Sequence, residues 1–379
     1  MTLNFMRFRA VARKEFLHVI RDPRSLGLAI ALPMFMMLLF GYALSLDVDR
    51  VGLLVYDRCG TPRSRELLSK FNSSRYFKLV RQISTDAEIG QAFDRNEAMI
   101  ALSIPVTFDR DLGAGRPVTV QIIADGSDAN TATIALGYGE AIIAGFSGEI
   151  TLERIRRQGR RPPETPVEVR PRAWYNPDME SRLFIIPGVM AVVLMIIAGL
   201  LTPLSVAREW ETGTMEQLIS TPVSPAELVL GKLAPYFSIG MFDVLLTLFA
   251  GQYLFDVPMR GSPVLLLATA AVYLSAGLGL GMVLSIVTRN QLLASQAAMV
   301  STFLPAMMLS GFISPISQMP DPVQVITRLF PARYFVTVLK GIQLKGLGFT
   351  GLHAEIGFLL LFAGVLIVAA ISAFRKNLE

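Results

Sequence analysis

Long stretches without a charged residue constrain this chain more than any other feature. Uncharged, mostly apolar runs cover residues 25–46, 183–207, 261–288, 290–320 and 356–374, and residues 233–255 are interrupted only by Asp243. A helix needs about 20 residues to cross a ~30 Å hydrocarbon layer. The runs are of that order or longer and predict spanning helices near 25–46, 183–207, 233–255, 261–288, 290–316 and 355–374. Composition agrees: 52% of the residues are hydrophobic and 17% charged, against roughly 25% charged in soluble domains.

Basic residues precede the first run, as in a secretory signal, but the run has the length of a full span. No small-x-small cleavage site stands out near Tyr42–Leu46, so an uncleaved anchor is expected. Short loops on the cytoplasmic side carry an excess of Lys and Arg. With the N-terminus inside, the inner segments hold eleven such residues and the outer short loops five. Both termini are therefore expected in the cytoplasm. Residues 47–182 carry nineteen basic and nineteen acidic residues, so the net charge of +5 resides elsewhere. The basic balance reflects membrane topology, and no basic patch with interleaved aromatics argues for nucleic acid. Cys59 is the only cysteine, which excludes an intramolecular disulfide and a cysteine-rich metal site.

Before the first span, Phe5, Phe8, Ala12, Phe16 and Val19 fall at helical spacing, with Arg7, Arg9, Arg13, Lys14 and Arg21 largely off that line. Residues 1–24 thus read as a basic amphipathic helix at the cytoplasmic interface or as a plain positive-inside anchor. Asp22-Pro23 should stop or bend it. Residues 47–182 alternate strand-like and helix-like segments, from VGLLVYD through VTVQIIA to one long helix after Asp128. That pattern predicts a small α/β domain, followed by a Pro-broken linker, RRQGRRPPETP. The fold class expected is an α-helical membrane protein: six transmembrane helices, an amphipathic N-terminal interfacial helix and an inserted α/β extracytoplasmic domain. Gly277 and Gly281 have the small-xxx-small spacing of close helix packing in the fourth span. Asp321-Pro322-Val323-Gln324 predicts a short helix to about Phe330, ended by Pro331.

The second span gives way abruptly to REWETGT, Arg208 to Thr214, at the start of an expected cytoplasmic loop, 208–232. Thr214-Met215-Glu216-Gln217 has the capping-box pattern and predicts a helix of about six residues, ended at Thr221-Pro222. Ser224-Pro225-Ala226-Glu227 is a second capping box, starting the helix that becomes the third span. A helix of six residues does not offset its own nucleation cost, for which roughly a dozen are needed. It must pack on something. Met215, Leu218 and Ile219 offer an apolar face, while Arg208, Glu209, Glu211 and Glu216 offer charged contacts or merely complement helix dipoles. The chain has no G-x-x-x-x-G-K-[ST] phosphate loop: Gly231-Lys232 is followed by leucine. No catalytic or metal-binding constellation stands out either, and the only histidines, His18 and His353, fall on opposite sides of the expected membrane.

The stretches WYNPDMESRLFIIPG, VAREWETGTMEQLISTPVSPAELVLGKLAPYF, LSGFISPISQMP and FPARYFVTVLKGIQLKG resemble the permease subunit of type 2 ABC exporters. RKEFLHVIRDPR and DGSDANTA match the bacterial multidrug-export branch, which has a large outer domain between the first two spans. The resemblance covers nearly the whole chain. It implies a half-transporter of the bacterial inner membrane in which two permease chains, identical or merely similar, each rest on a cytoplasmic ABC ATPase subunit. ATP and Mg would bind that subunit, with no cofactor on this chain. It further implies that the loop after the second span carries a coupling helix, whose motif Arg208, Glu209, Glu211, Gly213, Thr214, Glu216 and Leu218 match. Trp210 departs from the family pattern, in which a charged residue is more usual. A periplasmic adaptor and membrane lipids are further candidate partners.

Asp243, about ten residues beyond Leu233 and hence near mid-membrane, is the only charge well inside a span. It is either a cation or substrate contact on the export path or a protonated or hydrogen-bonded carboxylate that fixes helix packing. The leading expectation is ATP-driven export of small amphipathic or cationic compounds by alternating access. The alternatives are a polysaccharide or lipid exporter, whose permeases usually lack a large outer domain, and a non-conducting ABC membrane subunit that works on an outer partner. A secondary transporter is disfavoured by the coupling-type loop.

Overall fold

The computed structural model describes residues 4–43, 49–158, 174–177 and 180–374. The expected linker residues 159–166 and the basic pair Arg375 and Lys376 lie outside them. The chain divides into two compact units, residues 1–45 with 172–379 and residues 46–171. The first unit opens with α1 (Phe5–Ile20) and α2 (Pro23–Ala43). The second holds β1 (Val51–Asp57), α3 (Pro62–Ser73), β2 (Phe77–Gln82), α4 (Ala87–Asp94), β3 (Ile100–Ile104), α5 (Phe108–Gly113), β4 (Gln121–Ala124) and α6 (Ala129–Arg157). The chain returns to the first unit with α7 (Ser181–Leu201), α8 (Pro203–Glu211), α9 (Met215–Ile219), α10 (Pro225–Tyr253), α11 (Pro263–Thr288) and α12 (Gln291–Met308). It ends with α13 (Asp321–Thr327), α14 (Pro331–Gln343) and α15 (Phe349–Ala373).

The second unit is a sheet of order β2-β1-β3-β4, parallel except for the β3–β4 pair. β1 is central because its run of apolar residues suits burial on both faces. Leu53 and Val55 join a cluster with Leu67 and Phe71 of α3 and Phe146 of α6, whereas Leu54 meets Ile89 and Ala92 of α4. Of the expected strand VTVQIIA, only Gln121–Ala124 forms β4, matching the four positions at which β3 pairs with it.

In the first unit α7 is the core helix, packed on α2, α10, α11, α12 and α14. Residues 185–198 of α7 are all buried. Gly277 and Gly281 of α11 let that helix approach α7: a Cβ at Gly277 would lie 2.9 Å from Ala198 Cβ, and one at Gly281 3.1 Å from the Ala198 carbonyl oxygen. Among the described residues five helices are long and apolar enough to cross a membrane: α2, α7 continued by α8, α10, α11 and α15. The expected fifth span, 290–316, is not among them. Its helix stops at Met308 and includes Gln291, Ser295, Gln296, Ser301 and Thr302, and the turn beyond it uses Gly311 at φ +81°. The expected short helix forms as α13 but stops at Thr327, and Pro331 opens α14, as proline at a first helical position can. α14 buries Phe335, Val336 and Leu339 on the α7 core.

Candidate coupling site

The site grows from the end of α7. Thr202 and Pro203 break the helix, and α8 resumes with proline at its start. The Ser285 hydroxyl of α11 accepts from Val206 N at 3.2 Å and Ala207 N at 2.9 Å and donates to the Pro203 carbonyl, pinning this first turn. The expected loop beginning at Arg208 is therefore helical as far as Glu211. The reason is that α8 is amphipathic, with Val206 and Ala207 buried in the protein and its charges meeting specific partners.

Those partners lie on different elements. Glu209, 7% exposed, accepts from Lys14 of α1 and pairs with Lys232 of α10, both at 2.7 Å. Lys232, 1% exposed, also reaches Glu15 at 3.0 Å, and Lys14 lies 3.3 Å from Glu15. Lys14, Glu15, Lys232 and Glu209 thus form a ring of alternating charge that joins α1, α8 and α10. Burial opposes the charge on Glu15, yet Lys232 and Lys14 outweigh it and hold the carboxyl below the usual carboxylate range. Burial likewise opposes the charge on Lys14, and Glu209 and Glu15 nevertheless raise its ammonium above the usual lysine range. Arg208 donates from Nε to Gln291 Oε1 at 3.3 Å, and its Nη1 lies 3.1 Å from His18 Nε2. The Arg289 guanidinium sits 4.4 Å from the centre of the Trp210 ring, a cation–π contact. Glu211 accepts from the Gln291 backbone N–H at 2.8 Å and from its side-chain amide. Four successive residues therefore tie α8 to α1, α10 and the α11–α12 turn.

Gly213 has φ +71° and open space where a Cβ would stand, so it permits the left-handed turn between α8 and α9. α9 begins where expected, but Thr214 does not cap it. Thr214 has helical backbone angles, and its hydroxyl contacts Thr212 Oγ1 at 3.1 Å and the Glu209 carbonyl at 3.5 Å. The second capping box forms as expected, with Ser224 and Glu227 bonded reciprocally at the start of α10. Met215 is fully buried and Leu218 half-buried against Val206 and Val229, while Glu216 and Gln217 are exposed. The side chain of Ile219 lies outside the described residues.

α1 packs along α10, with Val11 against Gly231, where a Cβ would come within 2.8 Å. Its inner face is Val11, Ala12 and Glu15; Phe5, expected on the apolar line, is exposed. Lys14, Glu15, Lys232, Arg289 and Gln291 were not among the residues that the sequence singles out for the site. One signal for them exists: Glu15 falls on the same helical stripe as Ala12, Phe16 and Val19, and a carboxylate on an apolar stripe calls for a buried cation. Asp243 is distant in sequence from this ring and fully buried in α10. Neither carboxylate oxygen has a hydrogen-bond partner among the described residues, and its backbone carbonyl accepts from Thr247 Oγ1 at 2.7 Å.

The family model for "ABC-2 family transporter protein" matches residues 23–372. Similar curated proteins include "Probable multidrug ABC transporter permease YbhS" of Escherichia coli K12, 36% identical over 357 residues, which are 91% of this chain and 90% of the relative. "Probable multidrug ABC transporter permease YbhR" of the same strain is 29% identical over 98% of this chain and 99% of its own length. "Linearmycin resistance permease protein LnrN" of Bacillus subtilis 168 is 21% identical over 97% of this chain and 98% of its own.

Proposed function

Because this chain belongs to the ABC-2 family of transporter proteins and is a multi-pass permease subunit of an ABC exporter, we propose that it carries small amphipathic or cationic drugs out of the cytoplasm. The names of its relatives support that substrate class, two of them being called probable multidrug permeases. A cytoplasmic ATPase subunit drives the cycle, and a second permease chain completes the pathway between inward and outward access. α12 serves as the sixth crossing in this reading. Its 18 residues rise about 27 Å, close to a ~30 Å hydrocarbon core. An even number of spans and the basic excess then put both termini on the cytoplasmic side of the bacterial inner membrane. Residues 46–171 form the extracytoplasmic domain, where a periplasmic adaptor could dock.

The observation that carries the coupling role is the division of labour in residues 208–218. Arg208, Glu209, Trp210 and Glu211 hold α1, α10 and the α11–α12 turn, while Gly213, Thr214, Glu216 and Gln217 are exposed. The exposed set meets the ATPase, Leu218 and Met215 seat α9 on the permease, and the inward set transmits the push to three elements at once. Purified with its ATPase and reconstituted in vesicles, the chain should show hydrolysis stimulated by cationic amphiphiles and ATP-dependent efflux of the same compounds. Stimulation by polysaccharide or lipid substrates alone would overturn the drug reading.

A further inference from the structure

α12 and α15 both pack on α11, and between them the first unit holds a cavity of about 410 Å³. Small residues of α11 leave this space. Ala276 and Gly277 form part of its wall, and Gly279 lets α15 come close, since a Cβ there would lie 3.2 Å from Leu366 Cβ. The buried Met195 of α7 lines the back, and the turn Leu329-Phe330-Pro331-Ala332 between α13 and α14 caps one end. Val365 of α15 lines the cavity and is 57% exposed, so the cavity opens to the outside along α15. The faces beside that opening are apolar, with Leu304 and Met308 of α12 and Leu361 of α15 exposed. With α12 and α15 crossing the membrane, the opening meets hydrocarbon.

Among the described residues no charged side chain and no histidine lines the cavity. Its hydroxyls have spent their protons inside α12, Ser301 donating to the Ala297 carbonyl and Thr302 to the Ala298 carbonyl, both at 2.7 Å. A carboxylate or phosphate would find no side-chain donor here, and an ammonium no counter-charge, so burying either is costly. Phe330 and Phe362 supply aromatic rings, and Tyr334 braces Phe362 with ring centres 6.0 Å apart. Such rings favour offset or edge-on aromatic partners. The volume lies within the roughly 300–1,000 Å³ of sites that take drug-sized molecules. A solute already dissolved in hydrocarbon gains by restoring the dispersion contacts that an open space denies its lining atoms. A lipid chain fits less well: the turn at Leu329–Ala332 blocks a chain tethered to a headgroup on that side, whereas a free molecule enters sideways between α12 and α15.

We infer that this cavity binds an uncharged, aromatic, hydrophobic molecule taken up from the bilayer. The ligand class differs from the cationic compounds of the reading above, and Asp243 of α10 does not line the site. The inference rests on that reading at one point, the crossing of the membrane by α12.

The test uses the full chain with its ATPase partner in phosphatidylcholine vesicles and three photoreactive probes. These are an uncharged biphenyl bearing a diazirine, its trimethylammonium counterpart, and a phosphatidylcholine with the diazirine on an acyl chain. Labelled residues are mapped by mass spectrometry. The uncharged probe should label Met195, Ser301 and Phe362, and excess unlabelled biphenyl should reduce that labelling at least tenfold. The ammonium and lipid probes should leave those residues at background, while the lipid probe labels the exposed Leu304 and Met308. V365W, at the exposed rim, should abolish the displaceable labelling, and L304W, outside the cavity on α12, should not. Labelling that biphenyl does not displace, equal labelling by the ammonium or the lipid probe, or unchanged displaceable labelling in a folded V365W protein would overturn the proposal. Leu304 and Met308 free of lipid label would overturn the crossing of α12 and the proposal with it, whereas failure at the cavity alone leaves that crossing standing.

Discussion

Glu209 and Lys232 show how one ion pair can bear on a whole transporter. Lys232 is 1% exposed, and a buried cation stripped of its partner is costly, typically about 3–5 kcal/mol. E209A should fall toward the lower end of that range, because Glu15 still reaches Lys232 at 3.0 Å. Removing Glu15 and Glu209 together should cost more than the two single losses summed, since they share that cation. Denaturation of the three variants in mild detergent measures this, and simple additivity would argue against a coupled ring. The ring should also respond to acid. The Glu15 carboxyl is held below its usual range, so its contribution is present above the unfolded value and is lost as pH falls through the folded one. The melting-temperature gap between wild type and E15Q should therefore be full at neutral pH and close below about pH 4.3. Asp243 poses a separate question. Its oxygens find no partner among the described residues, and D243N should reduce export of cationic compounds several-fold if a substrate or proton uses it. Unchanged export of such compounds would leave the residue a packing role.

At the scale of elements, the decisive feature is the turn from α8 to α9. A non-glycine residue in the left-handed region loses roughly 1–2 kcal/mol. Because nothing lies within 4 Å of a Cβ at Gly213, G213A should lose about that much through backbone strain alone, and coupling should suffer with it as α9 shifts. Glu216 and Gln217 are exposed, so E216K should leave thermal stability within about 0.5 kcal/mol while weakening co-purification with the ATPase. Much of this arrangement was legible in sequence. The apolar runs located the long helices, the Ser224 capping box located the start of α10, and Gly213 and Thr221-Pro222 bracketed α9. Three things were not legible. REWE lies on a helix because α8 borrows Ser285 of α11 as its anchor, a contact 78 residues away that no local pattern records. Thr214 does not cap, because its backbone stays helical through the turn. The ring partners Lys14, Glu15 and Lys232 sit on α1 and α10, which meet along their length, Val11 packing on Gly231, although they are more than 200 residues apart in the chain.

The first unit as a whole can be read as a lever system. α7, almost wholly buried, is the fixed core, and its continuation α8 ends where α1, α10 and the α11–α12 turn converge. In the coupling role proposed above, a displacement of α9 would be felt at these three places, and α10 and α11 would carry it into the membrane-spanning part. The measurement that tests this account most directly is the number of drug molecules exported per ATP hydrolysed, in vesicles containing the permease and its ATPase. The E216K/Q217K protein, altered only at exposed positions of α9, should hydrolyse ATP with at least a tenfold lower export yield or fail to retain the ATPase. A wild-type ratio of export to hydrolysis in that variant would contradict the claim that residues 208–218 couple the motor to the membrane helices.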